Sequence, residues 1–446
     1  MKKGWQTKNL GDLCDVVGGG TPPKDKPAFY SGDIPWATVR DMRQDVITET
    51  EFRITKDAVK SSATNIIPSG NVVIATRVGL GKVCLIAQDT AINQDLRGIV
   101  PHSDKTLVVR YLYWWLKSIA DVIVAEGTGA TVQGVKLPFV KSLQIPVPPL
   151  AEQQRIVGLF DEAFAGLANA KANAEKNLQN ARALFESGLD SAITGKLTLE
   201  WRRKHTRIGS ASADLAARLA VRRKQWTGTG KYREPDAPVT LKPIDIPDGW
   251  ALASPEQITT HIVDCPHSTP KWAESGVVCL RTTNFKPGLL DLESVRFVSP
   301  QTYKERIMRL EPQAGDVLYS REGGILGIAC RIPEKLKTCL GQRMMLFRTD
   351  ASLVLPEYFT AVLNSTLILS EVKRLTGGAA SPHLNICDIR TFPIPLPPIT
   401  EQHQIVAKLN TIAAETQRLA RLYERKHAAL EALKKSLLHQ AFTGEL

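Results

Sequence analysis

Apolar and small side chains recur every third or fourth position from Ile156 through Phe160, Ala163, Leu167, Ala170, Ala174, Leu178, Ala181 and Leu184 to Gly188. The same frame returns in Ile405, Leu409, Ile412, Thr416, Leu419, Tyr423, Leu430, Leu433 and Leu437. Polar and charged residues fill the positions between, so each stretch predicts a long helix whose apolar seam needs a partner helix. From about residue 151 to 195 such a helix runs ~68 Å at 1.5 Å per residue. Pro148-Pro149 and Pro397-Pro398 fix the entry to each helix, because the residue before a proline avoids the helical region and proline itself suits the first turn. Thr194-Gly195 and Thr443-Gly444 supply the stops.

The two seams belong to an internal repeat. Residues 143–197 recur at 392–446 with a constant offset of 249: LQIPVPPLAEQQRIV is answered by FPIPLPPITEQHQIV, and LDSAITGKL by LHQAFTGEL. Weaker echoes lie upstream, where Gly4-Trp5 answers Gly249-Trp250, Gly20-Thr21-Pro22 answers Ser268-Thr269-Pro270, Thr76-Arg77 answers Ser320-Arg321, Asn93-Gln94 answers Gly341-Gln342, and Tyr111 answers Tyr358. A period this long means two domain-sized copies, since solenoid units run to about 20–50 residues. The cheapest partner for each helix is the other copy. Parallel packing would bring both preceding units to one end, so antiparallel packing under a pseudo-twofold is expected.

Runs such as GNVVIATRVGLGKVCLIA and GDVLYSREGGILGIACRI predict strand pairs with glycine turns, while YLYWWLKSIA and EYFTAVLNSTLILSEVK predict helices. The fold class is therefore α+β, two mixed domains separated by a pair of long coiled-coil helices. The segments are 1–142, a first variable unit; 143–197, the first helical repeat; 198–248, a basic linker with a short helix near 211–226; 249–391, the second variable unit; and 392–446, the second helical repeat. The linker either touches nucleic acid or is a solvated connector.

With 446 residues and 43% hydrophobic content, the chain can fill two cores of ordinary size. It carries no secretory leader and no run long enough to span a bilayer, which predicts a soluble cytoplasmic protein without membrane contact. Seven scattered cysteines without a C-x-x-C pair predict reduced thiols. The net charge of +12 is uneven, +5 over residues 198–248 against −1 over 143–197. A basic chain suits a polyanionic partner.

Catalytic patterns are missing. There is no G-x-x-x-x-G-K-[ST] loop for an ATPase, no N/D-P-P-aromatic motif of an amino-methyltransferase, and Gly18-Gly19-Gly20, Gly79-Leu80-Gly81 and Gly323-Gly324 do not follow the pattern of an S-adenosylmethionine pocket. His261, Cys265 and His267 offer three groups from a single loop, so no metal is expected.

The duplicated P-x-P-P-[LI]-x-E-Q helix starts, the T-G-K-L-T-x-x-W-R run from Thr194 to Arg202, G-G-G-T-P-P-K and I-P-W-A-T-V-R-D-M in the first unit and H-S-T-P-K-W in the second closely resemble the specificity subunit of type I restriction-modification systems. The resemblance covers the whole chain. It implies a non-catalytic DNA-reading subunit in which each unit reads one half of a bipartite, asymmetric target on double-stranded DNA, with half-site centres roughly 34–36 Å apart and the helices as ruler. It further implies two modification subunits holding S-adenosylmethionine, and restriction subunits using ATP and Mg, so that no cofactor sits on this chain. The second unit departs from the pattern, opening with ASPEQITTHIVDCPHSTP where the first has GDLCDVVGGGTPP.

Base readout needs Arg or Lys for guanine and Asn or Gln for adenine, while Ser, Thr and Lys mostly position phosphates. In the first unit the candidates on apparent loops are Thr21, Lys24, Lys26, Thr38, Arg40, Arg77, Lys82, Asn93, Gln94, Arg97, Thr128, Thr131, Gln133 and Lys136. In the second they are His267, Thr269, Lys271, Arg281, Thr282, Thr283, Asn284, Arg321, Gln342, Arg343, Ser381, His383 and Asn385. Partner-binding candidates are Glu152, Gln153, Val157 and Phe164 on the first helix and Glu401, Gln402, Val406 and Ala413 on the second; exposed apolar members would make the free chain poorly soluble. The rival readings are a self-contained DNA methyltransferase or nuclease and a structural adaptor without a nucleic-acid role.

Overall fold

The computed structural model of the chain describes residues 4–127, 134–205, 209–241, 243–378 and 382–446. Two compact units form, Met1–Lys176 with Tyr423–Leu446 and Asn177–Leu422. Each unit owns a stretch of both long helices, because the apolar seams run into the unit cores: Ile156, Phe160, Leu438 and Ala441 into the first, Leu189, Ile193, Ile405 and Leu409 into the second. The helices are Leu150–Ile193 and Ile399–Thr443, close to the bounds that the periodicity predicts.

Within the first unit the two helical stretches run antiparallel. Lys171 donates to Glu431 at 3.0 Å, His427 lies 3.7 Å from Glu175, and Arg155 donates to the Leu446 carbonyl at 3.0 Å, so partner numbers fall as residue numbers rise. The second unit repeats the sense, with Lys408 donating to the Leu197 carbonyl at 2.9 Å. There Gly188 admits its neighbour closely: a Cβ at this position would stand 3.2 Å from Ile412 Cδ1. Gly195 and Gly444 take φ of +72° and +81°, the left-handed stops expected of glycine after a helix.

In the first unit a five-stranded sheet runs in the order Cys14–Gly18, Leu96–Pro101, Val72–Ala75, Val83–Ile86, Val46–Ile47, beside a four-stranded sheet Phe52–Ile54, Ile34–Ala37, Thr90–Ile92, Asn65–Ile67. The second unit has Thr259–Asp264, Met344–Thr349, Val317–Ser320, Ala329–Arg331 and, beside it, Trp272–Ala273, Arg296–Val298, Val277–Leu280, Thr338–Leu340. Both glycine-turn strand pairs form as expected. YLYWWLKSIA lies largely in the helix Val109–Ser118, whose aromatic face fills the core. EYFTAVLNSTLILSEVK, in contrast, is two helices, Pro356–Leu363 and Thr366–Thr376. The break falls at Asn364, whose buried amide accepts from the Ala329 nitrogen and donates to the Ala329 carbonyl, tying the helix end to a strand.

The linker helix, Ala211–Lys224, packs on the second unit. Arg218 donates to Asp350, and Arg222 to the carbonyls of Glu256 and Gln257. Arg218 and Arg222, two of the linker's basic side chains, are thus spent holding it down. Burial alone would raise the Asp350 carboxyl, but hydrogen bonds from Ser352 and Arg218 and the Arg218 charge outweigh it and hold the carboxyl below the usual range. A folded-state value below the unfolded ~3.9 stabilises the fold fully above that value and ceases to do so as pH falls through the folded one. Asp350→Asn should therefore lose stability at neutral pH and flatten the acid-side decline in melts taken from about pH 6 to about pH 3. A decline as steep as that of the unsubstituted chain would rule out this pair as its source.

Candidate nucleic-acid interface

The repeated E-Q pair builds the base of each unit. Gln153 is fully buried; its Oε1 accepts from the Val108 nitrogen at 2.9 Å, and its Nε2 donates to the Thr106 and Pro148 carbonyls at 3.0 Å each. Gln402 repeats this on the Leu355 nitrogen at 2.9 Å and the Leu353 and Pro397 carbonyls at 2.8 Å each. Tyr111 and Tyr358 add hydroxyl donors to the Pro146 and Pro395 carbonyls. One amide side chain thus satisfies three backbone groups in each copy.

These placements correct the expectation that the helix starts face a partner. Gln153 and Gln402 are consumed inside, and Glu401 is buried as the shared acceptor of Thr198, Arg202 and the Trp250 indole. Glu152 pairs with Arg155 at 2.7 Å. Val157 is buried, and Phe164 stacks on Phe160 and meets Trp114 edge-on beneath the Lys434 ammonium. Val406 packs on the second core and Ala413 is half-buried. The apolar surface predicted for partners largely covers the chain's own core, so poor solubility of the free chain does not follow from it. Truncating Gln402 to Ala should cost about 3 kcal/mol, since each orphaned buried group costs ~1–3 kcal/mol, whereas the exposed Gln404→Ala should stay within about 0.5 kcal/mol of neutral. Equal urea midpoints for the two variants would dismiss the anchoring role.

Away from this base, the first unit opens a concavity of about 530 Å³. Thr21, Lys24, Thr38, Arg40, Asn93 and Gln94 line it together with Tyr30, Trp36, Val39, Phe52, Val78 and Asp95. The Gly-rich loop reaches this spot because it presses between neighbouring strands: a Cβ on Gly19 would lie 2.1 Å from the Asn93 carbonyl oxygen. The Gly20 carbonyl then accepts from the Trp36 indole at 3.2 Å and from Thr64 at 2.8 Å. Thr21 bonds to Gln94. Thr38 and Asp41 cap each other's turn, and buried Asn93 bonds Asp95 at 3.0 Å, so Thr38 and Asn93 shape the wall. Arg40 is exposed, 3.5 Å from Glu51.

Other candidates in this unit lie outside the concavity. Lys26 is exposed over the Phe29 ring. Lys82 and Lys136 are exposed, and Arg77 is exposed with Asp95 3.7 Å away. Arg97 lies across Gly18, where a Cβ would meet its Nη1 at 2.2 Å. Gln133, with Thr128 and Thr131, falls outside the described residues, as does Ser381 of the second unit.

The second unit gathers His267, Thr269, Arg321 and Gln342. Thr269 donates to Gln342 at 3.4 Å and Gln342 to the His267 carbonyl; this repeats the Thr21–Gln94 contact 248 residues on. Arg321 departs from expectation. Its side chain is 9% exposed and grips Asp264 through Nε at 2.9 Å and Nη2 at 3.1 Å, with Glu322 2.8 Å away and the Leu384 carbonyl at 3.2 Å. Its donors are engaged within the unit, so Arg321 holds the loop and does not present itself to a base. Asp264 also takes His267 Nε2 at 2.9 Å. Asn284 is buried and bonded to the Asp291 and Ser294 carbonyls, and Arg281 reaches the Ser294 carbonyl at 3.2 Å. Thr282 is half-buried; Lys271, Thr283, Arg343, His383 and Asn385 are exposed. Asp264, Asp95 and Glu322 escape a search confined to donors and cations, although Asp264 stands in HIVDCPHSTP directly before Cys265. Cys265 itself is buried, and burial pushes its thiol up.

A duplicated α+β unit, fastened by a Pro-Pro-x-x-Glu-Gln helix start and carrying polar loops, defines a repeated module. A family model, the type I restriction modification DNA specificity domain, matches residues 2–177 and 298–424, and the chain belongs to this family. It is 36% identical over 170 residues to the EcoR124I/EcoR124II specificity subunit of Escherichia coli, a match covering 36% of this chain and 41% of that protein's length. The MjaVIII specificity subunit of Methanocaldococcus jannaschii is 20% identical over 447 residues, 99% of this chain and 93% of that one. In fold the chain resembles a structure solved to explain complex assembly and conformational transition of the type I R-M system, with a TM-score of 0.70, 19% identity, and 100% and 99% of the two chains covered.

Proposed function

We propose that this chain is the sequence-reading subunit of a type I restriction-modification complex, binding double-stranded DNA and carrying no catalytic centre of its own. The observation that carries the reading is the pairing of constant and variable parts. Both copies keep the Gln153 and Gln402 anchors, while the loop sequences of the two units differ, GDLCDVVGGGTPP in the first against ASPEQITTHIVDCPHSTP in the second, as a reader of two unlike half-sites requires. Residues 1–142 and 249–391 are the two reading segments.

Two modification subunits supply the methyl transfer from S-adenosylmethionine, and restriction subunits supply ATP- and Mg-dependent cleavage. They would dock on exposed positions of the long helices in place of the buried glutamines. We place the complex in the cytoplasm; separately, no described helix is long and apolar enough to cross a membrane.

The test exchanges residues 1–142 for the corresponding unit of a related chain, co-expresses the chimera with the modification subunit and sequences the methylated adenines of the host. One half of the methylated site should change and the other should stay. A chimera that methylates the parental site, or a purified chain that methylates or cuts DNA alone, would reject the reading.

A further inference from the structure

We infer that the two units read guanine from non-equivalent positions, Arg77 in the first and Arg343 in the second. The inference rests on the DNA-reading function proposed above. Its ground is the strand register. Ala75 pairs with Leu96, and Ser320 pairs with Met344. One residue on, the Thr76 nitrogen donates to the Asp95 carbonyl at 2.8 Å and the Arg321 nitrogen to the Arg343 carbonyl at 3.0 Å. The carbonyls of Thr76 and Arg321 then accept from Val135 and Leu384, each at 2.9 Å. Arg321 therefore occupies the place of Thr76, Glu322 that of Arg77, and Arg343 that of Asp95.

The sequence echo of Thr76-Arg77 in Ser320-Arg321 is thus out by one, and in extended chain a slip of one reverses the face on which a side chain lies. The facing positions carry Arg and Asp in the first unit and Glu and Arg in the second, so the cation has changed sides. In the first unit Arg77 is 49% exposed and loosely paired. In the second, Arg343 is exposed and its side chain makes no ion pair or hydrogen bond among the described residues, which leaves its donor fork open for the O6 and N7 of guanine.

Two further features single out Arg343. Its φ of +68° is left-handed, a conformation that side chains avoid and that structures retain where a function demands it. Beside it, a Cβ on Gly323 would stand 3.2 Å from Arg343 Nη1. The glycine clears the space the guanidinium occupies.

The experiment uses the full chain with its modification subunits, methylome sequencing, and DNA affinity measured against salt. Arg343→Gly, which suits the left-handed backbone, should keep the melting temperature and relax discrimination at one G·C pair of the second half-site by roughly 10- to 100-fold, leaving the first half intact. Arg77→Ala should mirror this in the first half. A uniform loss of affinity with the salt slope reduced by about one marks a phosphate contact and overturns the inference, as does unchanged preference or a second half-site without a G·C pair. If the unsubstituted complex shows no sequence preference at all, the DNA-reading function fails and the inference with it.

Discussion

Glu401→Ala is expected to destabilise the second unit by about 3–5 kcal/mol, the range for breaking a buried ion pair by removing one partner. The Glu401 side chain is 1% exposed and Arg202 15% exposed. Thr198 donates to one carboxylate oxygen at 2.6 Å, and the Trp250 indole to the other at 2.9 Å. Removing the carboxylate leaves a guanidinium, a hydroxyl and an indole without their acceptor, and Arg202 also holds the Gly195 carbonyl at 2.7 Å where the first long helix ends. The damage should therefore concentrate where the linker leaves the helix, read as faster amide exchange across residues 194–202 alongside a lower melting temperature. Glu401→Gln should recover part of the loss, because an amide oxygen still accepts. If both variants melt with the unsubstituted chain, the network contributes nothing to the fold.

Arg321→Ala should produce the second large effect, and in stability before specificity. Asp264 is 12% exposed and faces Arg321 as a bidentate partner; left with the exposed His267 alone, it becomes a mostly buried charge without its guanidinium, at a cost of up to about 3–5 kcal/mol. Asp264, which holds His267, is then no longer fixed by Arg321, so the loop carrying Thr269 should loosen. DNA affinity should then fall across the whole second half-site without relaxing at a single base pair. A stable variant that loses preference at one base pair only would return Arg321 to the role of a guanine reader.

How far the chain could be read in advance follows from the kind of signal each element carries. The helices were legible because seams sustained over many turns leave few alternatives, and the repeat was legible because its offset is constant. The helix break at Asn364 was hidden, since the constraint is a hydrogen bond to Ala329, distant in sequence. Arg321 and Arg77 looked equivalent because motif matching has no access to strand register. Gln153 and the Glu401-Gln402 pair looked like docking residues because polar side chains at a helix start are ordinarily solvated, whereas here the glutamines bond loops some 45 residues upstream and Glu401 a linker some 200 residues away. The loop polar residues could be named only as candidates, and their division into wall, clamp and open donor depends on partners such as Asp95, Asp264 and Asp41, which carry no motif.

The buried glutamine at each helix start has a consequence for engineering. Its three contacts are all to main chain, so the socket recognises the path of the incoming loop and is indifferent to that loop's side chains. A graft whose seams lie outside both the glutamine and the loop it clasps would carry a complete fastening with it. Such a module can be transplanted between scaffolds as a plug, its display surface rewritten while the fitting stays the same.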